Sequence, residues 1–223
     1  MKPHFRLFLF VPLLLIYLNC DSDNFTGYKY ESQQLLDTLP LSGIVVNTST
    51  NSPVRDATVS INSFETATDE NGNYLILYPY TLDDERDKPA SIFVSAKKYF
   101  NFEVEKIIYP GETRLNFSLI YGAPIIESSW RYGNICEAII FDYQGVDNIT
   151  KVSGIFIYII PQVSETEYEV TMNGVKIVSA NSALYRCNFP NYIEGLGTVA
   201  EARHKITVSD KDGFSESMAY SYF

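Results

Sequence analysis

From Leu41 onward the chain is written in short runs of alternating apolar and polar residues, separated by turn-forming clusters. Ala57, Val59 and Ile61 alternate with Thr58, Ser60 and Asn62, and Tyr74, Ile76 and Tyr78 alternate with Leu75 and Leu77. A period of two sends successive side chains to opposite faces, so these runs predict strands. Further runs cover 91–96, 102–108 and 113–120. At Tyr121-Gly122-Ala123-Pro124 the pattern breaks, because Pro124 has no N–H to give to a ladder and Gly122 permits a turn. Runs resume at 125–131, 135–143, 151–160, 167–172, 175–179, 182–189, 198–209 and 214–223. Two clusters predict hairpins: Asp69-Glu70-Asn71-Gly72-Asn73, where Gly72 can supply positive φ, and Asn173-Gly174 between Met172 and Val175. The expected fold class is all-β, with two consecutive β-sandwiches of seven to eight strands at residues 41–122 and 123–223.

The N-terminus follows another pattern. Lys2, His4 and Arg6 precede the apolar run Leu7 to Leu18, and Cys20 follows at once. That run is too short to span a bilayer as a helix, which takes about 20 residues, so residues 1–19 read as an export signal. Ile16-Tyr17-Leu18-Asn19-Cys20 resembles a bacterial lipobox loosely, with Tyr17 and Asn19 where Leu and a small residue are usual. The resemblance implies acylation of Cys20 and a protein held at a membrane by that lipid. The plainer alternative is a secretory signal that leaves Cys20 removed or unpaired. Residues 20–40 are largely polar and read as a tether with a reach of roughly 25 Å, in which Leu35, Leu36 and Leu39 could form one short helical turn.

Residues 41–120 resemble the carboxypeptidase regulatory-like domain. The resemblance rests on Ser42-Gly43-Ile44-Val45, Ser52-Pro53-Val54, Ala57-Thr58-Val59-Ser60-Ile61 and Thr66-Ala67-Thr68-Asp69-Glu70-Asn71-Gly72-Asn73-Tyr74-Leu75. It implies a seven-stranded transthyretin-like sandwich. It implies no activity, since that module accompanies peptidases, transporters and surface proteins alike. Lys98, in Ala96-Lys97-Lys98-Tyr99, stands where the family usually has glycine, which predicts a local change in the backbone.

The second set of runs ends in Ile206-Thr207-Val208-Ser209-Asp210-Lys211-Asp212-Gly213-Phe214-Ser215, which resembles the last hairpin of an Ig-like extracellular module. Tyr185-Arg186-Cys187 resembles the tyrosine corner and second cysteine of an immunoglobulin domain. Two strand runs follow Phe189, however, and Trp130 precedes Cys136, so the expectation is an Ig-like sandwich of another lineage.

Charge narrows the partners. Loss of Lys2 and Arg6 with the signal leaves 15 basic against 27 acidic residues, a formal charge of −12. No basic cluster is present, so nucleic acid is not an expected partner and membrane contact would depend on the acyl group. Of three cysteines, an acylated Cys20 leaves Cys136 and Cys187 as a pair. Cys136 shares a strand face with Ala138 and Ile140, and Cys187 with Tyr185 and Phe189, so both point inward. A disulfide between them would contribute on the order of 4 kcal/mol. The alternative is two separate buried thiols.

Candidate chemistry is sparse. Beyond the signal there is one histidine, His204, on the face of Ile206 and Val208, which supplies neither a nucleophile–base pair nor a zinc ligand set. Asp83-Asp84-Glu85-Arg86-Asp87-Lys88 reads as a solvated loop. Asp210-Lys211-Asp212-Gly213 resembles the start of a calcium loop, but Phe214 occupies the third ligand position and an ordinary hairpin turn is the expectation. Tyr80, Tyr99 and Phe100 could form a ligand patch if one end of the sandwich gathers them, because sugar rings stack on aromatic faces. Together these features predict a non-enzymatic, lipid-anchored envelope protein, periplasmic or at the surface, that binds a protein or glycan. No metal or cofactor is expected. Carbohydrate binding through aromatics is the second reading, and a carboxylate-dependent hydrolase the third.

Overall fold

The computed structural model describes residues 37–80, 89–109, 114–159, 165–189, 192–193, 197–198, 201–219 and 221–222. The signal, Cys20, the tether up to residue 36 and the loop Asp83 to Lys88 lie outside these. Among the described residues the fold is all-β, with a 3-10 turn at Val146–Asn148.

Seven strands make up the first half: β1 (Asp37–Asn47), β2 (Thr58–Ile61), β3 (Phe64–Ala67), β4 (Asn73–Tyr80), β5 (Ala90–Ser95), β6 (Phe102–Lys106) and β7 (Phe117–Leu119). They form two sheets, ordered β4-β1-β7 and β3-β2-β5-β6. Alternation decides which side faces in. Leu41 and Val45 of β1, Tyr74, Ile76 and Tyr78 of β4, Val59 and Ile61 of β2, and Ile92 and Val94 of β5 join one buried apolar cluster drawn from both sheets. Burying each large side chain contributes roughly 1.5–3 kcal/mol. A one-residue slip of β2 would turn Thr58 and Ser60 inward instead, so the register is strongly held.

β1 begins at Asp37, ahead of the alternation read from Leu41, and so takes in the end of the tether. Leu39 is a buried strand residue opposite Tyr78, not part of a helical turn. Pro40 lies opposite Leu77 in the pairing of β1 with β4, outside the Val45 to Asn47 stretch that pairs with β7.

The second half contains β8 (Ile125–Tyr132), β9 (Ile135–Phe141), β10 (Ile149–Ile159), β11 (Thr166–Thr171), β12 (Asn173–Ile177), β13 (Ser182–Asn188), β14 (Tyr192–Ile193), β15 (Gly197–Thr198), β16 (Glu201–Asp210), β17 (Ser215–Ser217) and β18 (Ser221–Tyr222). One sheet runs β12-β13-β9-β8 and the other β11-β10-β16-β17, with β18 also on β16 and β14 paired to β15. Cys136, Ala138, Ile140 and Cys187 from the first sheet meet Val152, Phe156, Tyr158, Ile206 and Val208 from the second in one cluster. Phe156 stacks on Phe189 there, with ring centroids 4.6 Å apart.

Both clusters that predict hairpins instead carry the chain between sheets. β3 pairs with β2 and β4 with β1, so the Asp69 turn is a corner. Gly72 does take a positive φ of 74°. Likewise β11 pairs with β10 and β12 with β13. Met172 drops into the core between them, its N–H donating to the Val152 carbonyl at 2.8 Å, and Asn173 and Gly174 become the first rungs of β12. Neither has the positive φ that a type I′ turn needs. Two-residue turns fall at Asn62-Ser63 and Gly133-Asn134, where Asn62 and Gly133 have φ of 53° and 58°. The expected last hairpin is present as β16 and β17.

Candidate functional site

Gly122, Ala123 and Pro124, where the sequence pattern breaks, are all buried. The Gly122 and Ala123 N–H groups donate to the Lys98 carbonyl at 2.9 and 3.3 Å. Gly122 lies so close to Phe214 that a Cβ there would be 2.3 Å from the ring. Only a residue without a side chain fits at that approach.

Aromatic rings from both halves surround this segment. Phe100 meets Phe214 edge to face with centroids 5.0 Å apart, and Tyr99 meets Tyr121 in the same way at 5.0 Å. Tyr121 in turn contacts Tyr143 at 6.1 Å, and the Gln144 amide donates to the Tyr121 carbonyl at 3.0 Å. Such ring pairs contribute about 1 kcal/mol each beyond the area they bury. Beside them Tyr121, Ile125, Ile126, Glu216, Ser217 and Met218 line an open cavity of about 330 Å³.

Lys98 crosses this junction to form an ion pair with Glu216. Its backbone is left-handed, with φ 72°, a conformation that L side chains seldom adopt. The hydrogen bond to Glu216 raises the Lys98 pKa against the opposing effect of burial. Burial acts to raise Glu216, but the hydrogen bonds from Lys98 and the Ser217 N–H, with the charges of Lys98 and Lys97, lower it overall. Burial also raises Tyr121. The pair thus joins the two halves by a charge-assisted contact across the junction.

The other sequence-predicted residues are dispersed. Cys136 and Cys187 face each other across β9 and β13, both buried and both free thiols. The hydrogen bond between the sulfurs, with burial, pushes the Cys136 thiol up. Directly opposed residues of an antiparallel pair have Cα atoms about 4.5–5.5 Å apart, within the range a disulfide needs. The expected bond is therefore not formed in this structure, although the register places its two partners together.

Tyr80 and Tyr99 are not gathered at one end. Tyr80 pairs with Asp37 at the start of β1, whereas Tyr99 reaches Asn47 at its end through a 3.4 Å hydrogen bond. An extended strand of that length separates them by about 30 Å. Tyr99 and Phe100 spend their ring faces and edges within the junction. His204 is buried and parallel to Phe156, with centroids 6.3 Å apart. The sequence did not single out Glu137, whose carboxylate accepts from Trp130 Nε1 at 2.7 Å and from Arg186 Nε at 2.6 Å on the outer face of the sheet. Only the strand register brings those three residues into one row.

No family model matches the chain, and no curated protein matches it. Two solved structures are similar in outline. A DUF3823 family protein from Bacteroides ovatus ATCC 8483 is 14% identical, with a TM-score of 0.32 over 83% of this chain and 96% of that one. A protein of unknown function from Bacteroides fragilis NCTC 9343, described provisionally as membrane-associated, is 9% identical, with a TM-score of 0.27 over 82% and 98%.

Proposed function

We propose that the protein is an exported envelope component, anchored by an acyl group on Cys20, whose two β-sandwich modules form one stiff body that acts as a binding or structural element. The observation that carries this reading is the junction. Its buried Gly122-Ala123-Pro124 segment, its interlocked rings and the Lys98–Glu216 pair replace the polar linker that independently moving modules use. A stiff body on a tether presents its edges at a set distance from a membrane, which suits holding or docking and needs no chemistry of its own.

The transthyretin-like reading of residues 41–122 is supported by seven strands in two sheets that share one core. The Ig-like reading of residues 123–223 is supported by a second pair of sheets around a separate core. The partner in this reading is a protein reached through a sheet edge. β12 is such an edge, with Val175 and Ile177 exposed. Among the described residues no helix is long and apolar enough to cross a membrane.

Intact mass of the protein from its own membrane fraction, with and without reductant and against Cys20→Ser, tests the reading. A diacyl or triacyl mass gain that Cys20→Ser abolishes supports the anchor, and a shift of about 2 Da on reduction supports the Cys136–Cys187 bond. An unmodified chain recovered from the medium overturns the anchor.

A further inference from the structure

The two sheets of the first half have outer surfaces of opposite character. On the β3-β2-β5-β6 sheet, Glu65, Glu103 and Glu105 stand in register with the outward residues Ser60, Phe93 and Ser91, and all three are exposed. On the β4-β1-β7 sheet, the outward positions within Thr38 to Val46, Asn73 to Pro79 and Arg114 to Ile120 hold no acidic side chain among the described residues. The chain as a whole has 27 acidic residues against 17 basic ones, so a face without carboxylates stands apart from the rest of the surface.

That same face carries exposed apolar side chains. Leu75 and Leu77 are 55% and 61% exposed. In the register Leu77 lies beside Pro40 and Pro79 beside Thr38, and both prolines are exposed. Single exposed leucines are ordinary, but here Leu75, Leu77, Pro79 and Pro40 line one face of two paired strands. From Leu75 to Pro79 the stripe runs about 14 Å.

The course of the chain says what covers it. β1 starts at Asp37, opposite Tyr80, so the chain arrives at the Pro79 end of the stripe. Cys20 lies 17 residues before Asp37, and the tether between them has a reach of roughly 25 Å. An acyl group on Cys20 therefore keeps the stripe close to a bilayer, at an effective concentration on the order of millimolar. A weak apolar contact is populated under those conditions. Anionic headgroups would repel carboxylates, which this face lacks, and Arg114, exposed on it, can meet a lipid phosphate.

We infer that the outer face of the β4-β1-β7 sheet lies against the bilayer that holds the lipid on Cys20, with Leu75 and Leu77 among the headgroups. The inference rests on the anchor proposed above and gives it an orientation, in which the acidic sheet of the first half faces away from the membrane.

Vesicles of phosphatidylethanolamine and phosphatidylcholine, containing a nickel-chelating lipid and a headgroup-region spin-labelled lipid, test it. They capture the mature chain, residues 20–223 with Cys20→Ser and an N-terminal hexahistidine tag. A fluorophore is placed at Leu75→Cys or, on the opposite sheet, at Glu103→Cys, since Cys136 and Cys187 are buried. Quenching by the spin-labelled lipid should be severalfold stronger at position 75 than at 103. Adding Leu77→Asp to the Leu75→Cys chain should abolish that quenching while the tag still holds the folded chain on the vesicle. Without vesicles the chain should sediment as a monomer. Equal quenching on both faces, quenching that survives Leu77→Asp, or a dimer in solution that Leu77→Asp dissociates would each overturn the inference. Because the tag supplies the attachment, an absent acyl group shows in the mass measurement and an undocked face shows here.

Discussion

The turns at Asp69 and Asp210 are near copies. Each opens with an aspartate whose Oδ1 accepts a backbone N–H four residues on, from Asn73 at 2.8 Å and from Phe214 at 2.8 Å, and each has a glycine three residues on with φ of 74° or 88°. Yet Asp69 is exposed at a corner between two sheets, whereas Asp210 is buried where β16 turns back into β17, close enough to Asp142 for their charges to interact. The same local chemistry makes a corner in one half and a charged node in the other. Turn residues fix the backbone, and the rest of the fold decides whether the aspartate meets water or other aspartates.

If that contrast is right, the corner should be sensitive to volume and the node to charge. A Cβ at Gly72 would lie 2.5 Å from the Val45 carbonyl oxygen, while one at Gly213 meets nothing within 4 Å. Gly72→Ala should therefore cost roughly 3 kcal/mol in urea unfolding, clash added to the positive φ. Next in size is Phe214→Ala, which strips the ring from Phe100 and Gly122 and should cost about 2 kcal/mol, below the range for a fully buried phenylalanine. It should also let the two halves unfold in separate steps, visible as non-coincident probes. Gly213→Ala should cost only about 1 kcal/mol, the backbone strain alone. Equal effects at the two glycines would erase the contrast.

Two smaller effects depend on pH. Glu216 has a lowered pKa and Lys98 a raised one. The contribution of Glu216 is thus complete above the ordinary glutamate range and lost as pH falls through its folded value. That of Lys98 is complete below the ordinary lysine range and lost as pH rises through its own. Glu216→Gln should therefore lower stability by about 1 kcal/mol or less between pH 5 and 10, and match the native chain in acid or strong base. The smallest expected effect is at the corner. Asp69 is lowered chiefly by the Asn73 N–H, so Asp69→Asn should reduce Tm slightly at neutral pH and not below the ordinary aspartate range.

Strand faces were legible in the sequence because burial alternates with the pleat. Ala57, Val59 and Ile61 are buried as read, as are Cys136, Ala138 and Ile140. Strand partners were not, because Asn173-Gly174 signals a reversal by composition alone and cannot report that buried Met172 takes the chain into the other sheet. The same limit hid the node. Asp210-Lys211-Asp212 was visible only as an oxygen-rich stretch, and the Asn148 amide that bonds Asp212 and reaches Asp142 arrives through the fold. The distance between Tyr80 and Tyr99 was hidden in the same way, since it is the β1 register that sets them at opposite ends of that strand. Lys98 read as a departure, yet tertiary contacts hold it in the left-handed conformation and employ its ammonium.

The most direct test of the stiff two-module body is ¹⁵N relaxation on the Cys20→Ser chain. The account expects amides of both halves to report one rotational correlation time, that of a single body of the whole folded mass. Two separate and shorter times, one for residues before Tyr121 and one for residues after Pro124, would mean that the halves reorient independently and would contradict it.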